Sequence, residues 1–270
     1  MKKLLLLCSV LSLSVLWPGD AIAQLKIGGK KLNTAKLLDA GKDVAKAVTL
    51  SDSDIAQLSR EAVAWMDANN PVADETTEYG ARLKRLTEGI TEVDGLPLNF
   101  KVYKVADVNA FACGDGSIRV FSALMDLMDD DELMAIVGHE MGHIRNSDTL
   151  SAMRKAYLTS AARNALGATG GVIGSLSGSQ WGSLAEKLAG SQFSQGQEYA
   201  ADDFSFGFLQ RNGYDPYAMA SALEKIHRIS QRKDGQADAI LQLFSTHPDS
   251  FSRAARMRAK ADAAKALPAA

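Results

Sequence analysis

Cysteine is scarce in this sequence, which excludes a fold held together by internal disulfides. The 270 residues contain two cysteines, Cys8 and Cys113. Cys8 lies within residues 1–23, which we interpret as a secretory signal peptide. Only Cys113 would remain after cleavage, so we predict an exported protein without an internal disulfide.

The sequence also lacks a strong excess of one charge and an apolar run long enough to span a membrane. Its 30 Lys and Arg residues against 32 Asp and Glu residues argue against nucleic acid as a partner. The apolar run at 4–16 is shorter than the roughly 20 residues that a transmembrane helix needs. Lys2 and Lys3 precede this run and A-I-A at 21–23 follows it, which is typical of a signal peptide.

Histidine is rare as well, yet two of the four histidines belong to one motif. His139, Glu140 and His143 form H-E-x-x-H within a segment of helical periodicity, which is expected to end at the turn formers N-S-D at 146–148. Residues four apart lie on one face of a helix, so both imidazoles can bind one Zn²⁺ while Glu140 reaches a zinc water. An ordinary helix with two packed or surface histidines is the alternative.

The motif leaves the third ligand of a catalytic zinc site to be found elsewhere. A local third histidine is absent, because the positions three and six residues after His143 are Asn146 and Thr149. A glutamate from a second helix could take its place. The candidates further along the chain are Glu186, Glu198 and Glu224.

Glu198 is the preferred third ligand because Asp202 follows it on the same helical face. Ala200 and Ala201 lie between them and are small enough for close helix packing. Asp202 could bind the free ring nitrogen of a ligand histidine and so fix its tautomer. A solvated acidic start of a helix is the alternative.

His247 is a further candidate for the reaction centre. It precedes Pro248 in a bend, where its ring could donate to a developing oxyanion. A lone histidine before proline equally fits a residue without a part in the chemistry.

A two-residue periodicity predicts strands just before the metal helix. The segments 98–103, 108–112 and 117–121 would form a small antiparallel sheet, with C-G-D-G as the turn between the last two. An extended peptide can add to the edge of a sheet, and we predict such a substrate-binding edge here. An internal strand is the alternative. The predicted edge residues are Asn109, Ala110, Phe111 and Ala112.

Together, the motifs resemble those of the HtpX-type zinc metallopeptidases, peptidase family M48. The motifs are V-N-A-F-A at 108–112, H-E-M-G-H at 139–143, E-Y-A-A-D at 198–202, and T-H-P at 246–248 with Arg253 beyond. The resemblance implies an α+β fold, namely a mostly helical zincin-like metalloprotease domain whose small antiparallel sheet lies next to the H-E-x-x-H helix. HtpX itself has transmembrane helices, whereas this chain has none beyond the signal.

The resemblance also implies a site of the gluzincin type. The implied ligands of a single Zn²⁺ are His139, His143 and Glu198. Glu140 would be the general base, Asp202 the partner of a ligand histidine, and His247 a stabiliser of the transition state. The implied activity is hydrolysis of peptide bonds in misfolded or membrane-associated envelope proteins, as part of protein quality control.

The chain is expected to consist of a leader, a short extension and one domain. Residues 1–23 are the predicted signal peptide, 24–50 an N-terminal extension and 51–270 the metallopeptidase domain. Within it, the glycine-rich segment 164–196 is predicted to be mobile and to act as a lid or plug over the site. A plain flexible loop is the alternative.

The sequence therefore favours a zinc endopeptidase of the Gram-negative periplasm, with association with the outer membrane left open. Its expected partners are unfolded or misfolded polypeptides. The rival function is a zinc-dependent client-binding or chaperone-like protein with latent or absent proteolysis. Glu140 argues against this rival, because a purely structural zinc site needs no base and usually has a fourth protein ligand.

Overall fold

The structure, a computed structural model, describes residues 50–159, 176–231, 243 and 245–266, and the backbone of 26–27, 30–31 and 160–167. The predicted signal peptide, most of the predicted extension and residues 168–175 of the glycine-rich segment lie outside the described residues. None of the helices in the described ranges combines the length and the apolar character that crossing a membrane requires.

Helices dominate the described chain and short strands form small sheets, so the predicted α+β fold class is confirmed. The helices are α1 (Asp52–Asn69), α2 (Glu78–Leu86), α3 (Ser122–Leu127), α4 (Asp130–Arg145), α5 (Asp148–Gly167), α6 (Gly178–Ala189), α7 (Gln195–Arg211), α8 (Ala218–Ser230) and α9 (Ser250–Ala266). The strands are β1 (Lys26–Ile27), β2 (Lys30–Lys31), β3 (Glu92–Val93), β4 (Leu96–Pro97), β5 (Asn99–Tyr103), β6 (Ala110–Ala112) and β7 (Ser117–Phe121).

Side-chain caps fix where the two helices of the site begin. At the start of α4, the Asp129 carboxylate accepts a hydrogen bond from the main-chain N–H of Glu132 (2.9 Å). The Glu132 carboxylate in turn accepts one from the N–H of Asp129 (3.0 Å), which completes a capping box. Ser194 and Gln197 form the same type of box at the start of α7. Both helices therefore enter the core at defined residues.

Helices α4 and α7 pack so closely that glycine is required between them. A Cβ atom on Gly142 would lie 2.8 Å from the Cα of Ala201, and one on Gly138 would lie 2.9 Å from a ring carbon of Phe208. Only a residue without a side chain permits this approach. Ala201 is buried in the contact as predicted, whereas Ala200 is exposed. The close contact brings the two motif-bearing faces together.

The sheet before α4 has one antiparallel and one parallel pairing, where the sequence predicts only antiparallel ones. Its strand order is β5-β7-β6; the hairpin β6–β7 is antiparallel as predicted, but β5 runs parallel to β7. The chain reverses before β6 and again at C-G-D-G, so β5 and β7 point the same way and become neighbours when β7 takes the central place. Strand β6 lies at the edge of the sheet, as predicted.

Helix α6 occupies part of the glycine-rich segment 164–196. It begins at a Ser177 cap and buries Leu184 and Leu188 in an apolar cluster with Ile55 and Met153. A regular helix forms here despite the glycine content, because its apolar residues repeat at helical spacing and give it one face to bury.

Candidate metal centre

The H-E-x-x-H motif lies on the face of α4 that meets α7. His139 and His143 are buried, and their Nε2 atoms are 3.1 Å apart. Glu198, in the first turn of α7, is also buried; its Oε2 is 3.5 Å from Nε2 of His139 and its Oε1 is 3.4 Å from Nε2 of His143. The structure thus brings the three predicted ligands together from two helices.

His247 joins this group from the segment before α9. Its Nδ1 atom is 3.2 Å from Nε2 of His139 and 3.1 Å from Oε1 of Glu198. The candidate ligand atoms of the three predicted ligands and His247 all lie within 4.8 Å of one another, and all four residues are buried. The predicted role of His247 is that of a donor to an oxyanion, but this position also allows it to act as a fourth ligand.

The spacing of these side chains fits a zinc ion. Two ligands at zinc-binding distance in a tetrahedral site are roughly 3.3 Å apart. The separations among His139, His143 and Glu198 are 3.1, 3.4 and 3.5 Å. Two imidazoles and one carboxylate are also a donor set that zinc uses in hydrolytic sites. Spacing and donor chemistry are therefore compatible with a zinc ion bound by two histidines and a glutamate.

The other ring nitrogen of His139 is held by a charged network. Its Nδ1 is 2.9 Å from Oδ1 of Asp202, the residue predicted for this task. The buried guanidinium of Arg253 donates to both Asp202 oxygens, at 2.9 and 2.7 Å, and its Nη1 contacts Glu198. Arg253 occurs in the motif set of the sequence, but its role as the cation between two site carboxylates depends on the packing of α9.

The other ring nitrogen of His143 is held by a residue that the sequence indicates only as a turn former. Asp148 Oδ2 is 2.9 Å from its Nδ1. The second oxygen of Asp148 accepts a hydrogen bond from Nε2 of Gln197 at 2.6 Å. Phe193 stacks on the His143 ring, with centroids 3.9 Å apart and an interplanar angle of 19°. The only feature of the sequence that points to Asp148 is the position of this carboxylate directly after the turn that ends the metal helix.

The two histidines have opposite pKa shifts. Burial lowers the pKa of His139 to about 4 despite its hydrogen bond with a carboxylate. Burial acts to lower the pKa of His143 too, but its hydrogen bonds with Asp148 and Glu198 raise it to about 9. Burial acts to raise the pKa of Glu198, yet the charge of His247 and the hydrogen bonds of His143 and His247 lower it below its usual range. Glu198 is therefore ionised, as a metal ligand must be.

Glu140 is buried between the ligand group and the sheet. Its Oε1 is 3.6 Å from Nε2 of His247, and the main-chain amide of Ala112 faces its carboxylate. Burial raises its pKa, although the charges of His247 and His143 oppose that shift. The residue predicted to be the base thus connects the metal helix to strand β6.

The main chain of β6 has one side paired and one side at the edge of the sheet. The C=O of Asn109 and the N–H of Cys113 pair with β7 at 2.9 and 2.8 Å. Because alternate residues of a strand point their hydrogen-bonding groups in opposite directions, those of Ala110 and Ala112 face the outer edge. The position of Glu140 beside the main-chain amide of Ala112 agrees with this direction.

The side chains of the predicted substrate edge are mostly engaged within the protein. Phe111 packs against Tyr103 and Phe121, with ring centroids 6.3 and 6.0 Å apart. Asn109 is buried; its Nδ2 donates to the C=O of Ala189 at 3.4 Å, and its Oδ1 has no hydrogen-bond partner in the part of the chain that is described. The strand therefore offers main-chain groups rather than side chains to a ligand.

Two histidines and a glutamate from paired helices, with a buried glutamate beside them, define a metallohydrolase centre. The family model for Peptidase family M48 matches residues 79–261. The chain therefore belongs to peptidase family M48 and is a metalloprotease, and the resemblance of its motifs is confirmed.

Similar proteins carry names that agree with this assignment. The chain is 38% identical to metalloprotease LoiP of Escherichia coli (strain K12), over 88% of this chain and 92% of LoiP. It is 36% identical to metalloprotease YcaL of the same strain, over 84% of this chain and 87% of YcaL. It is also 31% identical to a beta-barrel assembly-enhancing protease of Yersinia pestis, over 64% of this chain and 36% of that protein.

Proposed function

We propose that this metalloprotease is a zinc-dependent endopeptidase. The observation that carries the proposal is the position of Glu140: it is buried beside three ligand side chains and faces the main chain of an edge strand. A metal-binding group, a base and a place for a peptide main chain are thus within one site. The arrangement has the parts that hydrolysis of a peptide bond requires.

Each side chain of the site has a separate role in the proposed reaction. His139, His143 and Glu198 would hold the ion. When bound, Zn²⁺ polarises the scissile carbonyl and lowers the pKa of a water molecule. Glu140 accepts the proton of the attacking water on its carboxylate and then delivers it to the nitrogen of the leaving amine. Asp202 keeps the proton of His139 on Nδ1, so that Nε2 is free to bind the ion.

His247 is proposed to stabilise the transition state as a hydrogen-bond donor to the oxyanion. Its ring lies within 3.6 Å of Glu140 on one side and 3.1 Å of Glu198 on the other. A ring between the base and the ligands is close to the place where a scissile carbonyl would lie. Its Nδ1 contacts Glu198, so Nε2, which faces Glu140, is the nitrogen that would donate to the oxyanion.

The substrate is proposed to lie extended along β6 and to extend the sheet. The outward main-chain groups of Ala110 and Ala112 support this pose, since they lie at the sheet edge next to Glu140. Asn109 and Phe111 would shape the strand from behind, because both side chains are buried. Recognition through the main chain tolerates many sequences, which suits a protease that acts on unfolded chains.

The proposed place of action is the periplasm of a Gram-negative bacterium, in quality control of misfolded or membrane-associated envelope proteins. It rests on the interpretation of 1–23 as a signal peptide, followed by the extension 24–50 and the domain 51–270. The segment 164–196 is proposed to be a lid. The contact of its residue Phe193 with the ring of His143 supports that role.

The rival function is zinc-dependent binding of unfolded clients without cleavage. The observation in its favour is the place of His247 among the ligands, because a fourth protein ligand is typical of closed structural zinc sites. The buried base beside the metal has no purpose in such a site, so we favour the endopeptidase.

The substitution Glu140→Gln separates the two functions. It preserves size and removes the proton acceptor, so we expect the variant to retain zinc and to lose hydrolysis of unfolded casein by about 10²-fold or more. Zinc content after dialysis and release of labelled peptides are the measurements. The control is Glu186→Gln, the same chemical change at an exposed position on α6. Casein cleavage by Glu140→Gln at the wild-type rate would disprove the mechanism, and wild-type protein that binds zinc and unfolded casein but never cleaves it would favour the rival.

A further inference from the structure

The first turn of α7 contacts His143 through more than the ligand Glu198. Phe193, just before the helix, stacks on the imidazole ring of His143 at 3.9 Å. Gln197, just before Glu198, binds Asp148, and Asp148 binds Nδ1 of His143. The start of α7 therefore reaches the second histidine both directly and through another side chain.

Both the oxygen and the nitrogen of the Gln197 side-chain amide form hydrogen bonds. Its Oε1 accepts hydrogen bonds from the main-chain N–H and the hydroxyl of Ser194, each at 2.9 Å, which closes the cap of α7. Its Nε2 donates to Oδ1 of Asp148 at 2.6 Å. A single amide thus connects the cap of one helix to the first residue of α5.

Asp148 has two oxygens and two partners. Oδ1 accepts from Gln197 at 2.6 Å and Oδ2 lies 2.9 Å from Nδ1 of His143, so rotation of the carboxylate breaks one or both contacts. Asp148 is buried, so loss of its amide partner is not readily replaced by water. The carboxylate is therefore aimed at His143 by Gln197.

We propose that Gln197 is a positioning residue for the metal site, which orients His143 through Asp148 and ties that histidine to the turn that supplies Glu198. The proposal rests on the proposed zinc function, but it concerns only the binding of the ion. Partners of this kind fix the tautomer and direction of a ligand histidine, and their loss typically weakens metal binding 10- to 100-fold.

The test compares Gln197→Met with Ser194→Ala. Methionine has a similar length and fills the half-buried position, but it breaks both the cap and the contact with Asp148; alanine at 194 weakens the cap alone. We expect about a 10-fold loss of zinc affinity for Gln197→Met and less than about threefold for Ser194→Ala. Affinity is measured by competition with a chromogenic zinc chelator, and thermal unfolding of the metal-free variants verifies that both are folded. Equal zinc affinities in the two variants would overturn the proposal.

A double-mutant cycle shows whether Gln197 acts through Asp148. In an Asp148→Ala background the amide has no carboxylate to orient, so Gln197→Met should change zinc affinity by less than about threefold there. The same 10-fold loss in both backgrounds would disprove the route through Asp148. Because zinc affinity is measured without a substrate, these results hold even if the wild-type protein never cleaves casein, and failure of one proposal is distinguishable from failure of the other.

Discussion

The two histidines of the H-E-x-x-H motif have the same partner type but different surroundings. His139 binds Asp202, whose charge is matched by the buried guanidinium of Arg253. His143 binds Asp148, whose other oxygen is held by the neutral amide of Gln197. One histidine is therefore supported by an ion pair, and the other by a chain of hydrogen bonds that begins at a helix cap.

This difference predicts how substitutions on each side of the site affect folding and metal binding. On the His139 side, a buried cation compensates two buried carboxylates, so a change there leaves a charge without its partner. On the His143 side, Asp148 is the first residue of α5, and loss of the neutral amide of Gln197 still leaves the carboxylate paired with His143. Changes near His139 should therefore affect folding first, and changes near His143 should affect metal binding first.

Removal of Arg253 should have the largest effect on stability. In Arg253→Met, the carboxylates of Asp202 and Glu198 lose their buried cation, so we expect the free energy of unfolding of the metal-free protein to fall by about 3–5 kcal/mol. Urea denaturation in the presence of a chelator measures this change.

The matched control for this substitution is Arg258→Met. Arg258 also binds a carboxylate with two hydrogen bonds, those to Glu224, but the pair is partly exposed. Its loss should cost less than about 1 kcal/mol. If both variants lost a similar free energy of unfolding, burial of the Arg253 network would not make it more important for stability than an exposed ion pair.

The second prediction concerns pH and the metal-free protein. The pKa of His139 is lowered from 6.5 to about 4, so its contribution to stability is present above pH 6.5 and is lost as the pH falls toward 4. The pKa of His143 is raised from 6.5 to about 9, so its contribution is present below pH 6.5 and is lost as the pH rises through 9. The free energy of unfolding should decline on both sides, by up to about 1.4 kcal/mol per pH unit for each proton.

Urea titrations from pH 4 to 9 in chelator measure both sides of this profile. Asp148→Asn should flatten the alkaline side, because the raised pKa of His143 depends on the Asp148 carboxylate. The acid side should persist in that variant. A wild-type profile that does not decline between pH 6.5 and 9 would contradict the pKa shift of His143.

The His139 side of the site was largely predictable from the sequence. His139 and His143 are four residues apart, as are Glu198 and Asp202. Residues at this spacing lie on one face of a helix. Two such helices need only small residues between them to bring these faces together, and Gly142 against Ala201 supplies that contact.

The His143 side depends on the path of the chain between elements. Asp148 reaches the ring because Ser147, with a φ of 60°, turns the chain back after α4. Gln197 lies in α7 and Phe193 lies just before that helix. A local sequence pattern does not predict which residues of two packed helices contact each other. The parallel pairing of β5 with β7 differs from the predicted antiparallel one for the same reason, since it depends on which strand takes the centre of the sheet.

The third prediction compares the two carboxylates directly. At pH 9, where the contribution of His143 to stability is largely lost, Asp148→Asn should weaken zinc binding about 10-fold while the metal-free protein keeps most of its stability. Asp202→Asn should weaken zinc binding and also destabilise the metal-free protein, because Arg253 then loses a buried anionic partner. Chelator competition and urea unfolding on both variants test the distinction. It is contradicted if the two variants lose stability to the same extent.

The smallest effect is expected from Phe193, which supports His143 by ring contact alone. A stacked aromatic pair contributes about 0.5–1.5 kcal/mol beyond its buried area, so Phe193→Leu should lower zinc affinity by only about threefold. The control is Phe251→Leu, since Phe251 lies 5.1 Å from the ring of His227, away from the ligand group, and is 65% exposed. If the segment that carries Phe193 is a lid, casein hydrolysis at saturating zinc should rise in Phe193→Leu and stay constant in the control. Unchanged hydrolysis together with weaker zinc binding would leave Phe193 as a support of His143 and argue against a lid.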